Sequence, residues 1–203
     1  MITKQRMAAF VAILLLLCGA ALGGHGLFIR AKAVVAQVLL ERAWAQTVET
    51  RRPVKAWAWA DTWPVARISF PALGRSAIVL EQGGGEALAF GPAHVAATPL
   101  PGEHGISVIA GHRDTHFDFI KDLNVGDEIE VTTRAGKTVT FRMTGSAVVH
   151  AQASGIDPAG TTARLALVTC YPFDAIGQAP LRYVVFAEEV SHANAMRAVA
   201  STD

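Results

Sequence analysis

The sequence predicts a mainly β domain, a barrel or a sandwich, preceded by one N-terminal membrane segment. Three observations support this class: a long apolar run near the N-terminus, short alternating Val/Thr/Phe segments from residue 65 onwards, and few helical patterns among them. Many short strands with few helices are typical of barrels and sandwiches. With 203 residues, 51% of them hydrophobic, the chain can supply a membrane segment and one domain with its own core.

The apolar run extends from Met7 to Ile29 and contains one strongly polar residue, His25. This length can cross a hydrocarbon core of ~30 Å. Two basic residues lie on each side of the run, so the positive-inside rule favours a cytoplasmic N-terminus only weakly. A cleaved signal peptide with small residues near 21–23 is the alternative. We favour an uncleaved anchor because the run continues past that point, and in both cases the remaining chain faces the periplasm or the cell exterior.

The apolar and alternating patterns divide the chain into four parts. We predict a membrane anchor over 1–30, a juxtamembrane helix and Trp-rich linker over 31–64, the β-domain over 65–190, and a C-terminal tail over 191–203. In the linker, Pro53 interrupts helix formation and Trp57, Trp59 and Trp63 lie close together. We expect these indoles to pack on the domain; an interfacial aromatic anchor or a lip over a groove are the alternatives.

Within the β-domain, strand patterns alternate with turn residues. A hairpin is expected to turn at Ala135–Gly136, and one short helix is expected over 114–123 with Asp114 as its N-cap. The strand patterns are "VARISFPALG", "SAIVLEQ", "SVIAGHR", "EIEVTTRAGKTVTFRMTGSAVVH", "RLALVTCYP" and "LRYVVFAEEV".

The net charge is close to zero, with 18 basic and 17 acidic residues and a formal value of +1. Basic residues form no stripe interleaved with aromatic residues. A nucleic-acid partner is therefore not expected.

The chain has two cysteines in different settings. Cys18 lies inside the apolar run, where we expect it to be a packing residue. Cys170 therefore has no partner for a disulfide within the chain. In an exported protein, a leftover cysteine indicates intermolecular pairing or a reactive thiol.

Two further residue types support a reactive thiol. His112 follows a glycine at the end of an apolar strand, as Cys170 ends another, and Arg182 opens the last strand. An imidazole helps to form a thiolate, and an arginine offers forked donors to a developing oxyanion. His116, four residues after His112, raises the alternative of a metal site with Cys170, but the H-E-x-x-H pattern is absent, and we predict no metal.

These residues together resemble the sortase family. The sequence "LVTC" is followed within a dozen residues by "LRYVV", and "IAGHR" lies upstream. The family motif T-L-x-T-C stands here as 166–170, with Ala166 in place of the first Thr. The resemblance covers roughly residues 60–190. The stretches "WAWADTWPVARI", "AGHRDTHF" and "TCYPFD" further resemble the sortases of Gram-negative proteobacteria.

The resemblance implies a closed eight-stranded β-barrel and a membrane-anchored cysteine transpeptidase, a peptidase of the hydrolase class. Cys170 is expected to be the nucleophile, His112 the acid/base and Arg182 the oxyanion or substrate donor, with Thr169 and Tyr171 contacting substrate. The implied partners are a protein substrate with a C-terminal sorting signal, an amine acceptor and the inner membrane. No cofactor or metal is implied.

Three alternatives remain open from the sequence. A cysteine endopeptidase, in which water resolves the thioacyl intermediate, needs the same residues. A metal-binding protein would use the two histidines and the cysteine. A non-enzymatic anchored barrel would use the tryptophans to bind a partner and would carry the cysteine as a core residue.

Overall fold

The computed structural model describes residues 4–81, 87–175, 177 and 180–190. The predicted C-terminal tail, residues 191–203, lies outside the described residues. The chain consists of two compact units, and the boundary between them lies between Val38 and Leu39.

The first unit consists of the apolar part of a long helix. Helix α1 runs over Lys4–Thr50, and residues up to Val38 belong to this unit. In the described part of the chain, α1 is the one helix that is long and apolar enough to cross a membrane, judged by length and composition. Its large apolar side chains, including Leu14 and Leu17, are exposed. A helix that is apolar on all sides has no polar face for water, which is typical of a membrane span.

The second unit is a closed barrel, in agreement with the predicted fold class. Eight strands follow the spatial order β1-β2-β3-β4-β7-β8-β6-β5. The strands are β1 (Pro64–Phe70), β2 (Arg75–Glu81), β3 (Ala93–His94), β4 (Gly105–Ala110), β5 (Glu128–Thr133), β6 (Thr138–His150), β7 (Ala163–Tyr171) and β8 (Leu181–Glu189). A short helix, α2 (Ala87–Phe90), precedes β3.

The predicted turns lie where the sequence placed them. The β5–β6 hairpin closes through a hydrogen bond from the Gly136 amide to the Thr133 carbonyl, 2.8 Å long. Gly136 has a φ of +77°, which side-chain-bearing residues rarely adopt. Strands β1 and β2 join through a 3-10 turn over Pro71–Leu73, and Gly74 ends that turn with a φ of +60°.

Alternating residues of the strands face two apolar layers. Inside the barrel, Leu165 and Leu167 of β7 pack with Val185 of β8 in the main core. On the outer face, a second layer, here called the outer apolar cluster, contains Ile106, Val108, Ala166 and Val184, with Val95, Val149, Ile156, Val168 and Phe186 packed against it. Period-2 alternation therefore gives β4, β7 and β8 two apolar faces.

The last turns of α1 pack on the outside of β2. Leu40 and Trp44, one helical turn apart, are buried with Ile78 and Leu80 of that strand. Thr47 is also buried, and its hydroxyl accepts a hydrogen bond of 3.2 Å from the Val54 amide. Residues 39–50 thus belong to the fold of the barrel unit.

The three linker tryptophans have different surroundings. Trp57 packs edge-on against Phe90, with 4.9 Å between the ring centroids. Trp63 packs against the barrel core, whereas Trp59 is 85% exposed. Packing on the domain therefore accounts for two of the three indoles.

The short helix expected over 114–123 is not formed. Residues 113–119 form turns, and a single 3-10 turn follows over Ile120–Asp122. The Phe117 amide donates to the carbonyl of His112, five residues earlier, at 2.9 Å, while the Phe117 side chain is fully buried. Burial of Phe117 therefore overrides the local helical tendency, and Asp114 is exposed and caps no helix.

Candidate active site

Cys170 and Arg182 lie opposite each other on neighbouring strands. Strands β7 and β8 are antiparallel, and their register pairs Cys170 directly with Arg182. Paired residues in such a ladder have Cα atoms about 4.5–5.5 Å apart, with side chains on the same face. Both residues are half-buried, and neither cysteine of the chain forms a disulfide. Arg182 also donates from Nη1 to the Leu181 carbonyl at 2.8 Å.

The strand that leads to His112 lies on the other side of β7 from Arg182, because β4 and β7 pair in parallel. Strand β4 pairs with β7 in parallel, with Ala110 opposite Val168. Beyond β4, the Gly111 amide donates to the Val168 carbonyl at 3.0 Å, so His112 follows β4 at the end of β7 that carries Cys170. The imidazole is exposed. Strand β7 thus carries the thiol between the strand that leads to the histidine and the strand that begins with the arginine.

Cys170 and Arg182 belong to the outer face of the barrel. Leu165 and Leu167 face the interior, so Ala166 and Val168 face outward, as their place in the outer apolar cluster confirms. Cys170 continues the outward series. Arg182 shares its face by cross-strand pairing, and the outer apolar cluster lies directly beside it along β7.

Gly111 links the histidine turn to the cysteine strand. Its amide donates to the Val168 carbonyl at 3.0 Å, and its carbonyl accepts a hydrogen bond of 2.7 Å from the Thr169 hydroxyl. A Cβ at this position would lie 2.6 Å from the Phe117 ring. The close ring therefore explains why glycine precedes His112.

Thr169 and Tyr171, which flank the cysteine, were both expected to contact substrate. Thr169 is buried with 2% of its surface exposed, and its hydroxyl is engaged with Gly111. Its burial does not support direct contact with substrate. Tyr171 is half-buried and belongs to an aromatic group with Phe173 and Tyr183, with ring centroids 5.4–6.5 Å apart. A substrate contact at Tyr171 stays a prediction.

His116 lies in the turn after His112 and has a perturbed pKa. Burial lowers the pKa of His116 below its usual value of 6.5, the positive charge of His112 lowers it further, and Asp118 opposes both. Asp118 in turn lies 3.6 Å from Arg75 in an ion pair. His116 is therefore predominantly neutral at pH 7.

Two other arginines near the sequence motifs have structural partners. Arg164 lies six residues before Cys170 on β7 and donates to the Ala159 carbonyl at 3.3 Å. Arg113 follows His112 and donates from Nη2 to the carbonyls of Ala175 and Gly177, the latter at 2.7 Å. Sequence reasoning missed this contact because nothing local links residue 113 to a loop more than sixty positions later.

The residues of the metal alternative do not form a ligand cluster. Within the described ranges, no group of three or more His, Cys, Asp or Glu side chains could hold a metal ion. The two histidines interact electrostatically with each other, whereas Cys170 pairs with Arg182 across β7 and β8 and follows the apolar residues Ala166 and Val168 on its own face of β7. Neither guanidinium nor hydrocarbon serves as a metal ligand.

The protein is thus a closed β-barrel domain that carries a cysteine, a histidine and an arginine near the end of one strand. The family model of the sortase domain matches residues 68–190. The chain therefore belongs to the sortase family.

Individual relatives agree with this assignment. Sortase D of Bacillus subtilis (strain 168) is 29% identical over 125 residues, which cover 61% of this chain and 63% of the relative. The match thus spans less than two thirds of that protein. Sortase C-1 from Actinomyces oris is 26% identical, with a TM-score of 0.57 over 63% of this chain and 73% of its own. A Clostridium perfringens sortase D5 transpeptidase has the same fold, with 23% identity, a TM-score of 0.62, and coverage of 78% of this chain and 99% of its own.

Proposed function

We propose that the chain is a membrane-anchored cysteine transpeptidase of the sortase type. The observation that carries the proposal is the register at the end of β7, where Cys170 faces Arg182 on one side and the strand leading to His112 on the other. The sortase family provides the reaction class. A thiol can act as the nucleophile, an imidazole as the acid/base and a guanidinium as the oxyanion donor in acyl transfer through a thioester.

The proposed reaction begins when the thiol proton of Cys170 passes to His112 and the sulfur attacks a backbone carbonyl of the substrate protein. Arg182 donates to the oxyanion that develops on that carbonyl. When the intermediate collapses, the peptide bond breaks, a thioester forms on Cys170, and His112 delivers a proton to the leaving amine. An acceptor amine then attacks the thioester, and His112 removes its proton as a new amide bond forms. The thiol is released again.

The outer apolar cluster supports a peptide substrate. It lies on the same face as Cys170 and includes Val168, two residues before the thiol. An extended segment that presents its carbonyl to Cys170 would contact the partly buried members of this layer, such as Val168 and Val149, with its apolar side chains. We propose that this contact selects a sorting signal near the C-terminus of the substrate protein.

We further propose that residues of the apolar helix anchor the enzyme in the cell membrane, with the barrel on the periplasmic or outer side. The length and composition of α1 support a span. The narrower resemblance to Gram-negative sortases would make this the inner membrane. Resistance of the full chain to alkaline extraction from membranes would support the anchor, and recovery of a shortened mature N-terminus would indicate a cleaved signal instead.

The test of the reaction uses the full chain in detergent micelles with a peptide library and hydroxylamine as a small amine. We expect a thioacyl adduct on Cys170 by mass spectrometry and hydroxamate products that depend on hydroxylamine. Cys170→Ala should form neither, whereas Cys18→Ala, which removes the other thiol, should retain both. Cleaved peptides without hydroxamates would indicate an endopeptidase with water as acceptor. If Cys170→Ala formed as much product as the unsubstituted chain, Cys170 would be ruled out as the nucleophile.

A further inference from the structure

The turn that carries His112 is fastened on both sides of that residue. On one side, Gly111 is hydrogen-bonded to Val168 and Thr169 of the cysteine strand. On the other, Arg113 donates to the carbonyls of Ala175 and Gly177. The exposed imidazole lies between these two attachments.

The partners of Arg113 lie in the connection between the two other site residues. Ala175 and Gly177 belong to the loop that leaves β7 after Tyr171 and enters β8 at Leu181, so it connects the strand ends that carry Cys170 and Arg182. One guanidinium group thus joins the histidine turn to the loop between the thiol and the arginine. Both hydrogen bonds come from the Nη2 atom. The rigid planar guanidinium holds this terminal nitrogen in place, whereas a lysine ammonium is a compact donor on a flexible stem.

We propose that Arg113 is a positioning residue that fixes the His112 turn against the β7–β8 loop and thereby aligns the imidazole with the thiol. This inference rests on the proposed function, because it assigns Arg113 a task only if His112 acts on Cys170. Arg113 touches no reacting atom in this scheme. Its loss removes the attachment of the histidine turn to the β7–β8 loop and leaves those through Gly111 and the buried Phe117.

The expected consequence is a loss of alignment rather than a loss of chemistry. A displacement of ~1 Å between reacting groups can lower a rate by roughly 10²-fold. Arg113→Ala should therefore reduce turnover by about 10–100-fold, with a much smaller change in KM, because the outer apolar cluster that contacts substrate is unaltered. Arg113→Lys, which keeps the charge and one donor direction, should recover only part of the loss.

The test does not require the natural substrate. The rate of Cys170 alkylation by iodoacetamide is measured between pH 5 and 9 in the Cys18→Ala background of the full chain. Wild-type and His112→Ala profiles define the contribution of the imidazole to thiol reactivity. Arg113→Ala is expected to move the profile towards that of His112→Ala, with Arg113→Lys between them. Arg164→Ala removes an arginine that also binds a backbone carbonyl, but at the far end of β7, and should match wild type.

Each outcome decides the proposal. If His112→Ala changes the profile and Arg113→Ala does not, the positioning role is overturned while the proposed function stands. If His112→Ala leaves the profile unchanged, both the positioning role and the acid/base assignment are wrong. Should Arg113→Ala fail to show a cooperative thermal transition, the lysine variant decides: a wild-type profile for Arg113→Lys overturns the proposal, and an intermediate one supports it.

Discussion

Gly111 offers the sharpest quantitative test of how the histidine turn is built. An alanine Cβ there would lie 2.6 Å and 2.7 Å from two carbons of the Phe117 ring. Favourable carbon–carbon contacts begin at about 3.5 Å, so relief of about 1 Å is required. Phe117 is fully buried in the main core, where side chains are close-packed. Overpacking of this kind costs about 1–3 kcal/mol, offset in part by about 0.4–1 kcal/mol because alanine reduces the entropy of the unfolded chain.

The net cost is therefore about 0–2.6 kcal/mol. Gly111→Ala should lower the midpoint of thermal unfolding of the full chain in detergent by up to roughly 10 °C, at about 2–4 °C per kcal/mol for a domain of this size. It should also slow Cys170 alkylation, because the displaced residue directly precedes His112. Gly145→Ala is the matched control, since a Cβ there meets nothing within 4 Å. The double variant with Phe117→Leu should show a favourable coupling of about 0.5–3 kcal/mol. Equal midpoints and equal alkylation rates for the Gly111 and Gly145 variants would refute the reasoning.

Three further outcomes are expected. Thr169→Val should destabilise the fold by about 1–3 kcal/mol in chemical denaturation, because the buried Gly111 carbonyl loses its hydrogen-bond donor. Thr169→Ser keeps a hydroxyl donor and serves as the control. An equal loss of stability in both variants would contradict this account. Since burial lowers the pKa of His116, the unfolded chain takes up a proton before the native chain does, so stability should fall as the pH drops below about 6.5. His116→Gln should flatten the dependence of stability on pH, and His150→Gln, a control at an exposed histidine, should not. Identical stability–pH profiles for the two variants would argue against a lowered pKa of His116 as the cause. Arg182→Lys keeps the charge but loses the fork, so it should lower turnover roughly 10²–10³-fold, and normal turnover in both the lysine and alanine variants would exclude an oxyanion role.

Local pattern was sufficient for much of the fold. Strand alternation with period 2 depends only on which face each side chain takes, so β1, β2 and the β5–β6 hairpin could be placed from the sequence. The two-residue strand Ala93–His94 is too short to show alternation, and the sequence therefore did not predict it. The turn at 113–119 was also missed, because burial of Phe117 against Gly111 overrode a local helical pattern.

For the active site, residue types and strand ends were readable from the chain, whereas their mutual placement was not. A hairpin connection already suggested that Arg182 returns beside Cys170, since antiparallel neighbours joined by one loop meet at its ends. The position of His112 depends on the parallel pairing of β4 with β7, strands separated by more than fifty residues, and no local preference specifies that register. The contact of Arg113 with the β7–β8 loop is of the same kind. Such contacts arise from barrel closure, because only the closed hydrogen-bond ladder brings distant strand ends to one edge.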